Sequence, residues 1–117
     1  LSSSDRLGTD EGVLPPEARI EGVGVRALDR RRVDVAVDLS PSAAPLTIDI
    51  VIVGPSDDEL CSILIVDSWE LYIDRIMHLR QDALPGVHTL HVGLFHDNLL
   101  VDRTSREFDF GANGETQ

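Results

Sequence analysis

Val33-Asp34-Val35-Ala36-Val37-Asp38-Leu39 sets a large apolar residue on every odd number and Asp or Ala on every even one. Successive side chains of a β-strand point to opposite faces, so a period of two predicts a strand with one face in a core and the other in water. Downstream, Pro41 and Pro45 break the pattern. Leu46-Thr47-Ile48-Asp49-Ile50-Val51-Ile52-Val53 then alternates at first and becomes apolar on both faces, as expected of a central strand. Gly54-Pro55-Ser56-Asp57-Asp58 is a turn cluster, and Leu60 to Val66 is a second two-sided run. Upstream, Ile20 lies on one phase and Val23, Val25 and Ala27 on the other. A bulge at Gly22 absorbs that slip, because glycine accepts the required backbone angles. Asp29-Arg30-Arg31-Arg32 turns this strand into the one beginning at Val33.

Leu84-Pro85-Gly86 is a turn, followed by Leu90, Val92 and Leu94 in alternation. His96-Asp97-Asn98 suits a tight hairpin, since Asp and Asn tolerate left-handed angles. The return strand carries Leu99 to Val101, then Phe108 and Phe110 on one face. Between these regions the segment from Asp67 to Leu84 satisfies two periods. Trp69, Tyr72, Ile73 and Ile76 follow helical spacing, with Asp67 and Glu70 as a capping box. Trp69, Leu71 and Ile73, then Met77 and Leu79, alternate as strands do. A strand around Arg75 to Leu79 is expected, with one short helix near 68–80 as the alternative.

The fold class expected from these elements is all-β, an immunoglobulin-like antiparallel sandwich of about seven strands. Residues 18–110 form that domain. Residues 1–17, with Ser2 to Ser4 and Pro15-Pro16, read as a flexible arm or linker, and residues 111–117 as a flexible tail. The stretch Leu84-Pro85-Gly86-Val87-His88-Thr89-Leu90-His91-Val92-Gly93-Leu94-Phe95, with Phe108-Asp109-Phe110 behind it, resembles the closing hairpin of bacterial and archaeal immunoglobulin-like domains. Those include adhesion-type modules and the C-terminal domain of O-antigen export ATPases. His88 stands where that pattern carries a Tyr. The resemblance covers about a quarter of the chain and implies a fold, since domains that share it do not share a function.

The 117 residues suit one domain. Acidic residues outnumber basic ones 21 to 10, for a net charge of -11, and every basic residue is Arg. So negative a field repels nucleic acid, whose binding needs a positive footprint. No apolar run reaches the ~18 residues of a membrane helix, so no membrane insertion is expected. The Arg and Asp bias fits a GC-rich genome or a high-salt habitat. Cys61 is the sole cysteine, which leaves no internal disulfide. The chain starts at Leu1 without Met, as a processed exported product or an excised domain would, and a cytoplasmic location fits equally.

Chemistry is sparse, and neither a catalytic site nor a cofactor or metal site is expected. Gly22-Val23-Gly24-Val25-Arg26-Ala27 matches a dinucleotide fingerprint in letters, but a strand and not a helix follows it. His88 and His91 are three apart in a strand and so face opposite ways. Cys61 has apolar flanks, the setting of an inert thiol. Asp57-Asp58-Glu59 lacks the spacing of a calcium loop and reads as a solvated turn. Contacts to a partner or a sugar are assigned to Trp69, Tyr72 and the cluster Arg30, Arg31 and Arg32. The function expected is a non-enzymatic protein–protein interaction or structural module within a larger protein or assembly. A carbohydrate-binding module is the alternative, and a small metalloprotein or enzyme the third.

The charge carries its own prediction. If the acidic surface is an adaptation to salt, the melting temperature climbs steeply between dilute buffer and molar KCl, as self-repulsion is screened. A flat melting temperature over that range rejects the adaptation.

Overall fold

In the computed structural model, residues 17–110 are described. The arm and tail expected at 1–17 and 111–117 lie, apart from Glu17, outside the described residues. Seven strands follow one another: β1 (Ile20–Ala27), β2 (Arg32–Leu39), β3 (Leu46–Val53), β4 (Glu59–Ser68), β5 (Tyr72–His78), β6 (Val87–His96) and β7 (Leu99–Asp109). They form two sheets, ordered β1-β2-β5 and β4-β3-β6-β7, and every pairing is antiparallel. The all-β sandwich expected from periodicity is the fold. The fourth strand joins β3 at the edge of the larger sheet. In a constant-type immunoglobulin domain the strand at that place joins the other sheet.

The core is what the alternation demands. Val33, Val35, Val37 and Leu39 of β2 are buried together with Leu46, Ile48, Ile50 and Ile52 of β3, Ile73 and Met77 of β5, and Leu90, Val92 and Leu94 of β6. Each such aliphatic side chain contributes about 1.5–3 kcal/mol through burial. On the water side of the smaller sheet, Asp34, Ala36 and Asp38 alternate with the buried valines.

The irregular points fall where turn chemistry places them. The β1–β2 register slips between Ile20 and Gly22, the expected bulge. Asp97 and Asn98 have φ of 49° and 68°, so the β6–β7 turn is the two-residue type with both central residues left-handed. Gly86 has φ of 126°, which restricts that position of the Leu84-Pro85-Gly86 turn to glycine.

His88 takes up the role the family pattern gives to Tyr. Its ring is fully buried, and Nδ1–H donates to the Gly86 carbonyl at 2.9 Å. A carbonyl only accepts, so Nδ1 carries a hydrogen. Nε2 has no protein partner. The ring also lies 4.7 Å from Phe110, edge-on, and 5.7 Å from Phe108.

The short helix considered near 68–80 is not there. Among the described residues, β4 runs to Ser68 and β5 begins at Tyr72, with only Trp69 to Leu71 between. The helical spacing of Trp69, Tyr72 and Ile76 arose from side chains the fold leaves outside, whereas the inward pair is Ile73 and Met77. Tertiary pairing with β2, which opposes Val37 to Ile73 and Val33 to Met77, decides the segment.

The two long sides of the sandwich differ. Along one, β1 meets β7, and the Ile20 N–H donates to Asp102 at 2.9 Å. Along the other lie β4 and β5; all four are edge strands, one from each sheet on either side. Ile50→Ala, in the middle of the core, is expected to cost about 2–5 kcal/mol in denaturant unfolding. Leu64→Ala, on the open side, is expected to cost less than about 0.5 kcal/mol. Equal costs would contradict the assignment of inner and outer faces.

Candidate functional site

The exposed apolar side chains of β4, β5 and their connection divide between the two outer faces, Leu64 on that of the larger sheet opposite Asp49, Tyr72 and Ile76 on that of the smaller sheet opposite Asp38 and Asp34. Leu64 and Val66 project from β4, Trp69 and Leu71 from the turn, and Tyr72 and Ile76 from β5. Trp69 is 63% and Tyr72 55% exposed, so both expected contact residues are at the surface. The turn that presents Trp69 is held by two bonds. The Glu70 N–H donates to the Ser68 hydroxyl at 3.1 Å, and the Leu39 N–H to the Leu71 carbonyl at 2.8 Å.

Register sets a carboxylate beside several of these residues. Leu64 lies opposite Asp49, Tyr72 opposite Asp38, and Ile76 opposite Asp34. Asp74 sits between Tyr72 and Ile76 on β5, facing Ala36. A hydrogen bond with Asp74 pushes the Asp34 carboxyl above its usual range, with burial and the Asp74 charge adding to it and Arg26 opposing. Asp74, together with partial burial and then Asp38 and Asp34, likewise pushes the Tyr72 phenol up. Arg75 shares the inward phase of Ile73 and Met77, yet its guanidinium turns out to Glu70 at 3.3 Å. The surface is thus apolar with an acidic surround.

Arg30, Arg31 and Arg32 lie elsewhere, in the β1–β2 turn, and do not converge with Trp69 and Tyr72. They tie that turn to the β5–β6 connection. Arg31 donates to the Arg80 carbonyl at 2.6 Å, and Arg32 pairs with Asp29 at 2.8 Å. The carbonyls of Arg30 and Arg31 accept from the N–H groups of Ala83 and Leu79. The Arg31 N–H and the Arg32 side chain hold the Asp29 carboxyl below its usual range. Their geometry is that of a structural clasp.

Other reactive groups are dispersed. His88 is buried at the corner and His91 is exposed on the outer face of β6, as the strand phase requires. His91 Nδ1 lies 2.8 Å from the Ser105 hydroxyl, its cross-strand partner. Burial pushes the Cys61 thiol up, while the His78 backbone N–H and Arg80 pull it back. Sequence reasoning found Trp69 and Tyr72 but missed Leu64, Val66, Leu71 and Ile76 as surface. The two-sided run of β4 imitates a central strand, and only its place at the sheet edge leaves one face bare.

Asp34 yields a test. Its folded-state pKa is raised, so its protonated form favours folding. That contribution is complete below the unfolded carboxylate range and disappears as pH rises through the folded value. Asp34→Asn resembles the protonated form at every pH. The variant is expected to melt higher than the parent at neutral pH, and the gap to close as pH falls below about 4. A gap independent of pH would show that Asp34 and Asp74 do not interact.

No family model matches the chain, and no curated protein sequence matches it. Solved structures do. A glycosyl hydrolase family 2 member from Bacteroides cellulosilyticus DSM 14838 superposes with a TM-score of 0.61 at 11% identity, over 80% of this chain and 15% of that one. A β-glucuronidase of glycoside hydrolase family 2 gives 0.57 at 9% identity, over 79% and 12%. A β-glycosidase from Bacteroides vulgatus gives 0.54 at 14% identity, over 80% and 13%. The chain spans about one-seventh of the length of these structures, and at such identity the likeness is one of fold: a β-sandwich that also occurs as one part of much longer chains.

Proposed function

We propose that the chain is a non-enzymatic interaction domain of a larger protein or assembly, which docks a protein partner through the β4/β5 side. One observation carries this. Six large apolar side chains, Leu64, Val66, Trp69, Leu71, Tyr72 and Ile76, stand at least 49% exposed on β4, β5 and the turn between them. Scattered exposed apolar residues need no explanation, but Leu64 and Val66 beside the free edge of β4, continued at its end by Trp69 and Leu71, form a run that suits a contact surface. On the opposite side the Ile20–Asp102 bond ties β1 to β7, and the other exposed large apolar residues, Leu84, Val87, Leu99 and Leu100, lie before β6 or on β6 and β7. The fold's occurrence as a minor share of longer chains supports the same role.

If the band exists for docking, the isolated domain folds without it. Replacing Leu64, Trp69 and Ile76 together by Ser is expected to change the unfolding free energy by less than about 1.5 kcal/mol, the sum of three surface changes. The parent's Trp69 emission is expected to be quenched freely by acrylamide, a neutral probe that the acidic surface does not repel. A loss of several kcal/mol, or a shielded indole, would make the band part of the core and remove the proposal.

Sugar binding is the second function with support of its own. Tyr72 and Trp69 are exposed near Asp38 and Asp74, a pairing of ring faces with carboxylates that suits a sugar's C–H face and hydroxyls, and the structural neighbours carry glycoside hydrolase names. Titrating soluble oligosaccharides against Trp69 emission separates the two. A saturable shift abolished by Tyr72→Ala favours the sugar; no shift with any of them favours the protein partner.

A further inference from the structure

We infer that the partner is an extended segment of another chain, apolar in its middle and basic at its ends, that adds to the free edge of β4. This rests on the docking role proposed above and specifies its mode. β4 is ten residues long and, among the described residues, pairs with a neighbour on one edge only, so its outer backbone N–H and C=O groups are available as a template. Natural edges are usually blunted by Lys, Pro or inward charge. From Leu60 to Val66 this edge has no charge, no Pro and no Gly. Within it Ser62 and Leu64 are exposed, so an added strand would continue the outer row of side chains over them.

Charge fixes the partner. Glu59 and Asp67 stand at the two ends of β4, and Asp49 lies across from Leu64. Neither β3 nor β4 holds a basic residue. Arg75 is engaged by Glu70 at 3.3 Å, and Arg80 acts on Cys61 at the opposite end of the strand from Trp69. An antiparallel second copy would bring carboxylates to carboxylates under a net charge of -11 on each molecule. An apolar segment ending in Arg or Lys satisfies both the template and the field.

The test uses the whole chain and two synthetic peptides that share a Val- and Thr-rich centre, one with Arg at both ends and one with Glu. Hydrogen exchange of the Leu60–Val66 amides and the emission of Trp69 are the readouts. The Arg-ended peptide is expected to slow those amides and shift Trp69, with affinity falling as salt rises. The Glu-ended peptide is expected to bind about tenfold more weakly or worse. The paired substitution Ser62→Lys and Leu64→Lys, both on exposed positions, is expected to weaken the Arg-ended peptide to a similar degree. Equal binding of the two peptides overturns the inference. A Trp69 shift without slowed β4 amides also overturns it, but leaves the docking surface standing; silence in both readouts removes the two together. Slowed amides in a peptide-free dimer, seen by sedimentation, would give the edge to a second copy and likewise overturn it.

Discussion

Everything in this domain depends on one constraint, that the side chains of β2 and β3 alternate strictly between a dry and a wet face. Val33, Val35 and Val37 on one sheet and Ile48, Ile50 and Ile52 on the other are wholly buried, and Leu90 and Leu94 of β6 join them. A slip of one residue in either strand would carry Asp34 and Asp38, or Asp49, into the core, at a cost far above any local gain. The register is therefore fixed, and with it the neighbours of every surface residue discussed above.

From that register the asymmetry of the sandwich follows. β1 reaches β7 through the Ile20–Asp102 bond, and Arg19 and Ser40 exchange two further bonds that fasten the entry of β1 to the exit of β2. At the other side, the chain crosses from β4 to β5 in three residues and leaves both strands as edges. That crossing is too short to fold back over the strands it joins, so among the described residues nothing covers the outward side chains of β4 and β5. The carboxylates beside them belong to the wet faces of β2 and β3. Apolar band and acidic surround are thus consequences of one topology.

Much of this was legible in the sequence, for particular reasons. Period two identified β2, β3 and β6, because each has a clean inner face. Asp97, Asn98 and Gly86 marked the turns, because few residues accept those backbone angles, and the phase slip at Gly22 marked the bulge. The segment around Trp69 was less legible, since its outward residues happen to fall at helical spacing and only the pairing of β5 with β2 chooses between the periods. The surface of β4 could not be read at all. A run apolar on both faces looks the same whether a sheet flanks it on two edges or on one, and strand order is a long-range fact. The ties of Arg30 and Arg31 to the β5–β6 connection could not be read either, since their partners lie some fifty positions away.

The central claim is that β4 and β5 are not neighbours within a sheet. Cross-strand Hα–Hα contacts measured by nuclear magnetic resonance test it most directly. Contacts are expected to pair β5 with β2 and β4 with β3, in the registers of Val35 with Arg75 and Asp49 with Leu64, with none between the backbones of Leu64 and Ile76. Hα–Hα contacts running along β4 and β5 would close the open side and contradict the account.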